Sequence, residues 1–448
     1  MKTALAILAA TLATPGIVCA QQASAAAHAA QPGREIAVRA GRLFDSATGR
    51  MLAQQTILIH GDRIAAVGPA QSVSIPAGDR VIDLSNATVL PGLIDAHTHI
   101  FSSLSTSARV TTSREAWTLM ALENAQATLR AGFTTVRDLG THGEGYGDVA
   151  VRDAINRGIF EGPRMQVATR GIGATGTDFI GVPGSTIPGG FESISGPDDA
   201  RRAVREQIHY GADCIKVFPT GGYSFSPSGE LYVEPTLTLD ELKAIVDEAH
   251  RHHRRVAAHA YGGEGLRDSI LAGVDSIEHG QGLDSDEAGM MVQKGIYFDV
   301  TGYRYTMPEV AESDRRATGG KYSIIPIFEK DFEYALHHGV KIAFGTGVDG
   351  TAGDPRSSGP LAHGTQALEF TWLVNHGMTP AAALQSATIV DAEMLGWQDR
   401  VGSITTGKFA DIIAVSGDPL NDITEMQRVT FVMKGGQVIR DDMAAQRK

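Results

Sequence analysis

The 448-residue chain predicts an α/β fold: a (β/α)8 barrel carrying a small β-sandwich built from both chain ends. Three observations predict it. From Val89 to about Leu395, helix-like stretches end at a glycine and a short apolar or β-branched run follows within a few residues. The segments on either side instead alternate apolar and polar residues between frequent turn signals. Polar side chains with metal-ligand chemistry then fall at the ends of the successive short runs, where barrel enzymes build their sites.

The elements follow in order. Residues 1–25 read as a secretory signal peptide: Lys2, an apolar stretch from Ala4 to Val18, then small residues. Val18-Cys19-Ala20 and Ala23-Ser24-Ala25 are two candidate cleavage points. Pro15 interrupts the stretch, which is short for a spanning helix. The expectation is an exported, periplasmic or secreted protein that stays off the membrane in its mature form. Its cysteines are Cys19 and Cys214, so removal of the leader leaves one thiol and no intrachain disulfide. Residues 34–90 carry turn signals at Gly41, Thr48-Gly49, Gly61-Asp62 and Pro76-Ala77-Gly78, and residues 397–443 at Thr406-Gly407, Gly417-Asp418-Pro419 and Gly435-Gly436. Both read as β-meanders. Neither is long enough to stand alone, so the two are expected to pair into one β-sandwich.

Residues 91–396 carry the barrel. Its helix-to-strand joints are Ala131-Gly132-Phe133, Tyr210-Gly211-Ala212, Ala272-Gly273-Val274, Lys294-Gly295-Ile296 and His338-Gly339-Val340. Glycine just past a helix takes the left-handed conformation that ends it. The strands run Leu90–His99, Phe133–Leu139, Met165–Thr169, Cys214–Phe218, Val256–Ala260, Ser276–His279, Tyr297–Val300 and Ile342–Gly345. Helices between buried strands imply parallel pairing. A doubly wound open sheet is the alternative, but no Gly-x-Gly-x-x-Gly turn follows the first strand. The stretch Gly171–Gly196, rich in Gly, Pro and Ser, reads as a long loop over the active face, either a lid or an insertion.

Asp95-Ala96-His97-Thr98-His99 is the most informative segment. Residues i and i+2 of a strand share a face, so His97 and His99 present two imidazoles side by side. Neutral imidazole is the commonest protein ligand for zinc and related divalent metals. A bare His-x-His is as often a satisfied structural pair. Partners recur here: Lys216 within the fourth strand, His259 ending the fifth, His279 ending the sixth and Asp349 following the eighth. Lys216 lies between Ile215 and Val217, where an unpaired ammonium would be costly. Either an acidic neighbour pairs with it or the lysine is neutralised or modified.

These stretches resemble the amidohydrolase superfamily. The resemblance spans Arg34 to Arg440 and rests on Pro91–His99, Ile215-Lys216-Val217, His259, Glu278-His279-Gly280, and Gly402-Ser403-Ile404 through Gly407-Lys408-Phe409-Ala410-Asp411. It implies two divalent metal ions, with zinc expected. His97, His99 and Asp349 would hold one and His259 and His279 the other, with Lys216 bridging them as a carbamate. The family's Gly-Thr-Asp after the eighth strand is broken here by Gly347-Val348, which makes Asp354 a second candidate for the aspartate. Thr134–Leu139, Ala257–Ala260 and Gly377–Pro380 further resemble members that cleave Xaa-Pro and other dipeptides, N-acyl amino acids or ochratoxin.

The resemblance implies hydrolysis of the amide bond of a dipeptide or N-acyl amino acid, with Asp349 as proton carrier. Tyr223, after the fourth strand, and His142, after the second, are the candidates to stabilise the oxyanion. Tyr223 or a nearby arginine is the candidate for a substrate carboxylate. Arg137 and Asp138 are expected to pair with each other. Cyclic amides, lactones or phosphotriesters are alternative substrates for the same metals, and an inactive scaffold is the alternative of another class. A net charge of −12 argues against nucleic acid or an anionic membrane surface as partner. The expected partner is a small-molecule substrate, and the expected assembly a homo-oligomer.

Overall fold

The computed structural model describes residues 35–101, 104–177, 190–357 and 359–444. The leader proposed for residues 1–25 lies outside them. Among the described residues no helix is long and apolar enough to cross a membrane.

Eight parallel strands form the barrel: β1 (Leu93–Thr98), β2 (Phe133–Asp138), β3 (Arg164–Val167), β4 (Cys214–Phe218), β5 (Arg255–Ala260), β6 (Ser276–His279), β7 (Tyr297–Asp299) and β8 (Lys341–Ala343). β1, β2 and β3 pair in parallel, and so do β4 through β8. Two seams close the ring. Asp213 N donates to Val167 O at 2.8 Å between β3 and β4, and Ala96 N donates to Phe344 O at 2.9 Å between β1 and the end of β8. Nearly every residue of these strands is buried on both faces, which is why they read as continuous apolar runs rather than alternating ones.

The helices form where local chemistry allows. Capping boxes open two of them, Thr238 with Glu241 and Asp284 with Glu287. Gly273, Gly295 and Gly339 end theirs in the left-handed conformation, as the glycine joints predict. Leu242, Ile245, Leu266, Ile270, Phe328 and Phe332 turn inward from this outer layer to the large apolar core.

Both flanks meet in one seven-stranded sheet. Its order is Gln437–Asp441, Phe431–Lys434, Ile412–Val415, Arg80–Pro91, Ile36–Asp45, Arg50–His60, Arg63–Pro69. The C-terminal Ile412–Val415 pairs antiparallel with Arg80–Pro91, Ile413 opposite Leu90. Val38, Ile57, Ile59, Ile82, Leu84, Phe431 and Met433, apolar positions from both flanks, share one buried cluster. Gly92 then joins this sheet to β1, and a Cβ there would collide with the Thr134 side chain on β2. Of the stretch Gly171–Gly196, expected as a loop or lid, residues 178–189 lie outside the described residues, and the residues on either side include strands. Gly171–Ala174 and Phe191–Ile194 are strands, parallel to each other, and the first also pairs with β4. The glycines of Gly171–Ala174 leave little side chain to pattern, so that strand carries no sequence signal.

Candidate metal centre

At the C-terminal end of the barrel a cavity of about 360 Å³ is lined by His97, His99, Lys216, His259, His279 and Asp349. These are the side chains expected from the strand ends, brought together from β1, β4, β5, β6 and the segment after β8. The Nε2 atoms of His97 and His99 lie 3.2 Å apart. The ring of His279 stands 5.0 Å from that of His97 and 4.7 Å from that of His259.

The opposite ring nitrogens are held from behind. His97 Nδ1 lies 3.1 Å from Asp299 Oδ2 and 3.0 Å from Glu278 Oε2, and His279 Nδ1 lies 2.8 Å from Thr301 Oγ1. A partner on one nitrogen fixes the ring and leaves the other to face a ligand. His97, Glu278 and Asp299 themselves bring ligand-type atoms within 4.8 Å of one another. That trio is fully buried behind the ring, and Glu278 is already committed to Arg137 at 2.9 Å. It therefore supports His97 rather than forming a second open site.

Burial sets the protonation states. It lowers His97 to about 4 and pushes His99, His259 and His279 well below the ordinary histidine value, leaving neutral imidazoles. Burial also lowers Lys216 to about 8. Lys216 Nζ is buried and makes no hydrogen bond among the described residues, so no acidic partner there contacts it as the structural alternative would require. Burial pushes Glu278 upward, but Arg137, His97 and Lys216 together outweigh that and hold it ionised. Asp299 rises well above the usual range through burial and the adjacent Glu278 charge.

Asp349 lines the cavity and Asp354 does not; Asp354 pairs with Arg356 at 2.7 Å. His142 is in the cavity, its ring 4.2 Å from that of His99. Tyr223 is not. Its hydroxyl donates to Asp314 Oδ1 at 2.8 Å in an adjoining cavity, which leaves it poorly placed as an oxyanion donor. Arg137 and Asp138 do not pair: Arg137 binds Glu278, Ser276 Oγ and Ala96 O, and Asp138 accepts from Ile100 N at 2.8 Å. The cause is strand parity, which sends neighbouring side chains to opposite faces.

Sequence reading missed Arg304, Tyr261 and Tyr305, all of which line the cavity. Arg304 Nη1 lies 2.6 Å from Asp349 Oδ1 and donates to Gly347 O at 3.0 Å. The hydroxyls of Tyr261 and Tyr305 are 2.8 Å apart. Three non-glycine residues here hold left-handed backbones, His142 (φ 52°), His279 (φ 76°) and Thr301 (φ 50°). Such strain persists only where surrounding contacts impose it, and it concentrates at functional sites.

Comparison with known proteins gives a consistent picture. Residues 88–439 match the model of the Amidohydrolase family. An ochratoxinase of Aspergillus niger is 30% identical over 382 residues, covering 79% of this chain and 75% of its own. A crystal structure of a Xaa-Pro dipeptidase with methionine bound in its active site superposes with a TM-score of 0.79. It is 34% identical, covering 91% of this chain and all of its own. A prolidase complexed with N-methylphosphonate-L-proline gives a TM-score of 0.77 at 28% identity, covering 91% of this chain and 100% of that one.

Proposed function

The chain belongs to the amidohydrolase family, and we propose that its histidine cavity is a two-metal centre hydrolysing the amide bond of dipeptides or N-acyl amino acids. The observation that carries the proposal is the convergence on one cavity of neutral histidines, Asp349 and a buried lysine with no hydrogen-bond partner among the described residues. The donor set fits divalent cations, zinc above all. His97, His99 and Asp349 would hold one ion, and His259 and His279 the other. When bound, two such ions acidify water and polarise a carbonyl.

The chain's own groups do the rest. Lys216 as a carbamate would supply a further anionic ligand to the centre: its neutral Nζ would add to the carbon of carbon dioxide, with release of one proton. Burial lowers its value to about 8, which enlarges the neutral fraction of the amine relative to an exposed lysine. Asp349 accepts the proton of the attacking water and delivers it to the leaving nitrogen. Arg304 beside Asp349 is the guanidinium placed to take a substrate carboxylate, a role its planar fork suits. His142 and the Tyr261–Tyr305 pair line the same space and offer N–H and O–H groups to charge developing on the carbonyl oxygen.

The similarity to an ochratoxinase and to prolidases makes ochratoxin A, giving ochratoxin α and phenylalanine, and Xaa-Pro dipeptides the first substrates to try. Residues 1–25 add the proposal that the enzyme is exported. A panel of N-acyl amino acids, dipeptides, lactones and cyclic amides, assayed with metal-loaded protein, tests the reading. Release of free amino acid from the first two groups supports it. Turnover confined to lactones or cyclic amides overturns it.

A further inference from the structure

The helix Arg114–Arg130, between β1 and β2, buries an apolar face at Trp117, Met120, Ala121 and Leu129, yet that face also carries Asn124 and Thr128, one turn apart. Both are fully buried, where a polar side chain is costly unless it is hydrogen-bonded. Both are bonded, and their bonds lead to the two backbone segments that carry His99 and Asp349.

Asn124 makes the first arm. Its Nδ2 donates to Ile100 O at 2.9 Å, and its Oδ1 accepts from Thr351 Oγ1 at 2.9 Å. Thr128 begins the second. Gln366 Nε2 donates to Thr128 Oγ1 at 2.8 Å, and Thr128 Oγ1 lies 2.9 Å from Nδ1 of the buried His363. His363 Nε2 faces His99 O at 3.4 Å, while its backbone N donates to Gly350 O at 2.8 Å. A carbonyl can only accept, so Nε2 carries the ring proton. Burial lowers His363 to about 4 and keeps it neutral, so Nδ1 accepts from the Thr128 hydroxyl. The donors therefore run one way, from Gln366 through Thr128 and His363 to His99. Each arm ties a residue at or just past His99 to one just past Asp349.

We propose that Asn124, Thr128 and His363 are positioning residues that hold the His99 and Asp349 segments at the separation one metal ion requires. The inference rests on the two-metal reading above, in which His97, His99 and Asp349 share an ion. None of the three is among the residues lining the histidine cavity, so they act through the backbone of the ligands. Topology makes the effect selective: the arms end on the segments after β1 and β8, whereas His259 and His279 stand on β5 and β6. Apolar packing is non-directional, but a hydrogen bond sets both distance and angle. Groups that support metal ligands from behind change affinity by about 10–100-fold.

Thr128→Val removes the hydroxyl while keeping the shape of the side chain, and Thr128→Ser returns it. Zinc is titrated into the chelator-stripped whole chain against a chromophoric chelator, and thermal midpoints of the stripped proteins confirm folding. Wild type should take about two ions. Thr128→Val should weaken one of the two binding steps by about tenfold or more and leave the other unchanged, and Thr128→Ser should recover the loss. Anomalous diffraction from Thr128→Val crystals grown at limiting zinc should find the retained ion at His259 and His279. Equal weakening of both steps would reduce the network to general packing and overturn the proposal. Steps unchanged from wild type, or a retained ion at His97 and His99, would overturn it too. His363→Gln carries the same test if Thr128→Val does not fold. A wild type that binds no zinc would fail the two-metal reading and this proposal with it, whereas zinc bound equally well by wild type and variants fails this proposal alone.

Discussion

Arg137→Met is expected to cost about 3–5 kcal/mol of folding stability. Arg137 is 2% exposed and ties three barrel strands from inside, donating to Ala96 O at 2.6 Å, Ser276 Oγ at 3.1 Å and Glu278 Oε1 at 2.9 Å. Methionine keeps much of the stem's packing but leaves the fully buried Glu278 carboxylate facing His97 and Asp299 with its cation gone. Stranding a buried charge is the expensive event; losing the pair as a whole is cheaper. For a unit of this size, residues 34–448, the unfolding entropy is about 0.9 kcal/mol per kelvin, so the midpoint should fall by about 3–6 °C. The assay is thermal unfolding of wild type, Arg137→Met, Glu278→Gln and the double variant. The double variant should recover at least half of the Arg137→Met loss. A single-variant shift below about 1 °C, or a double variant no better than Arg137→Met, refutes the reasoning.

Other outcomes follow from the same contacts. Lys216→Ala should abolish hydrolysis and lower bound metal, and a short-chain carboxylic acid should restore part of both. Retained activity without added acid would remove the carbamate from the account. Amidating the substrate carboxylate, or replacing Arg304 with methionine, should each raise the barrier by about 2–5 kcal/mol. Combining the two should add little. Equal turnover of free and blocked substrates would mean that Arg304 reads something else. Glu248 accepts from Arg205 at 2.7 and 3.1 Å, and that contact lowers its carboxyl from 4.5 to about 2. A depressed folded value stabilises above the unfolded one, so the stability gap between wild type and Glu248→Gln should be full above about pH 5 and close toward pH 2. Because Arg205 is exposed, solvent screening should keep that gap small. A gap that widens on acidification would contradict the sign.

The barrel was legible because its strands are short apolar runs bounded by helix-ending glycines, and all eight lie where those runs occur. His97, His99, Lys216, His259, His279 and Asp349 were legible for a related reason: position at a strand's end fixes direction, and direction fixes convergence. Arg304 and Tyr305 were not. They sit in a one-turn helix, Gly302–Tyr305, aimed by the left-handed Thr301 and by Glu369, which accepts from Gly302 N and Tyr303 N at 2.8 Å. Glu369 lies 67 positions from Gly302 along the chain, and no local pattern carries such a contact. The only sequence signal was an arginine between two tyrosines just past a strand. Tyr223 shows the converse. It lines the cavity adjoining the histidines, but the Asp314 that captures its hydroxyl belongs to a helix 91 positions further along the chain.

Metal dependence of amide hydrolysis is the most direct test of the central claim. Protein stripped by a strong chelator and dialysed should lose its hydrolysis of an N-acyl amino acid, and regain it as zinc is titrated to about two ions per chain. Full activity in the metal-free protein, or recovery complete at far less than one ion per chain, would contradict it.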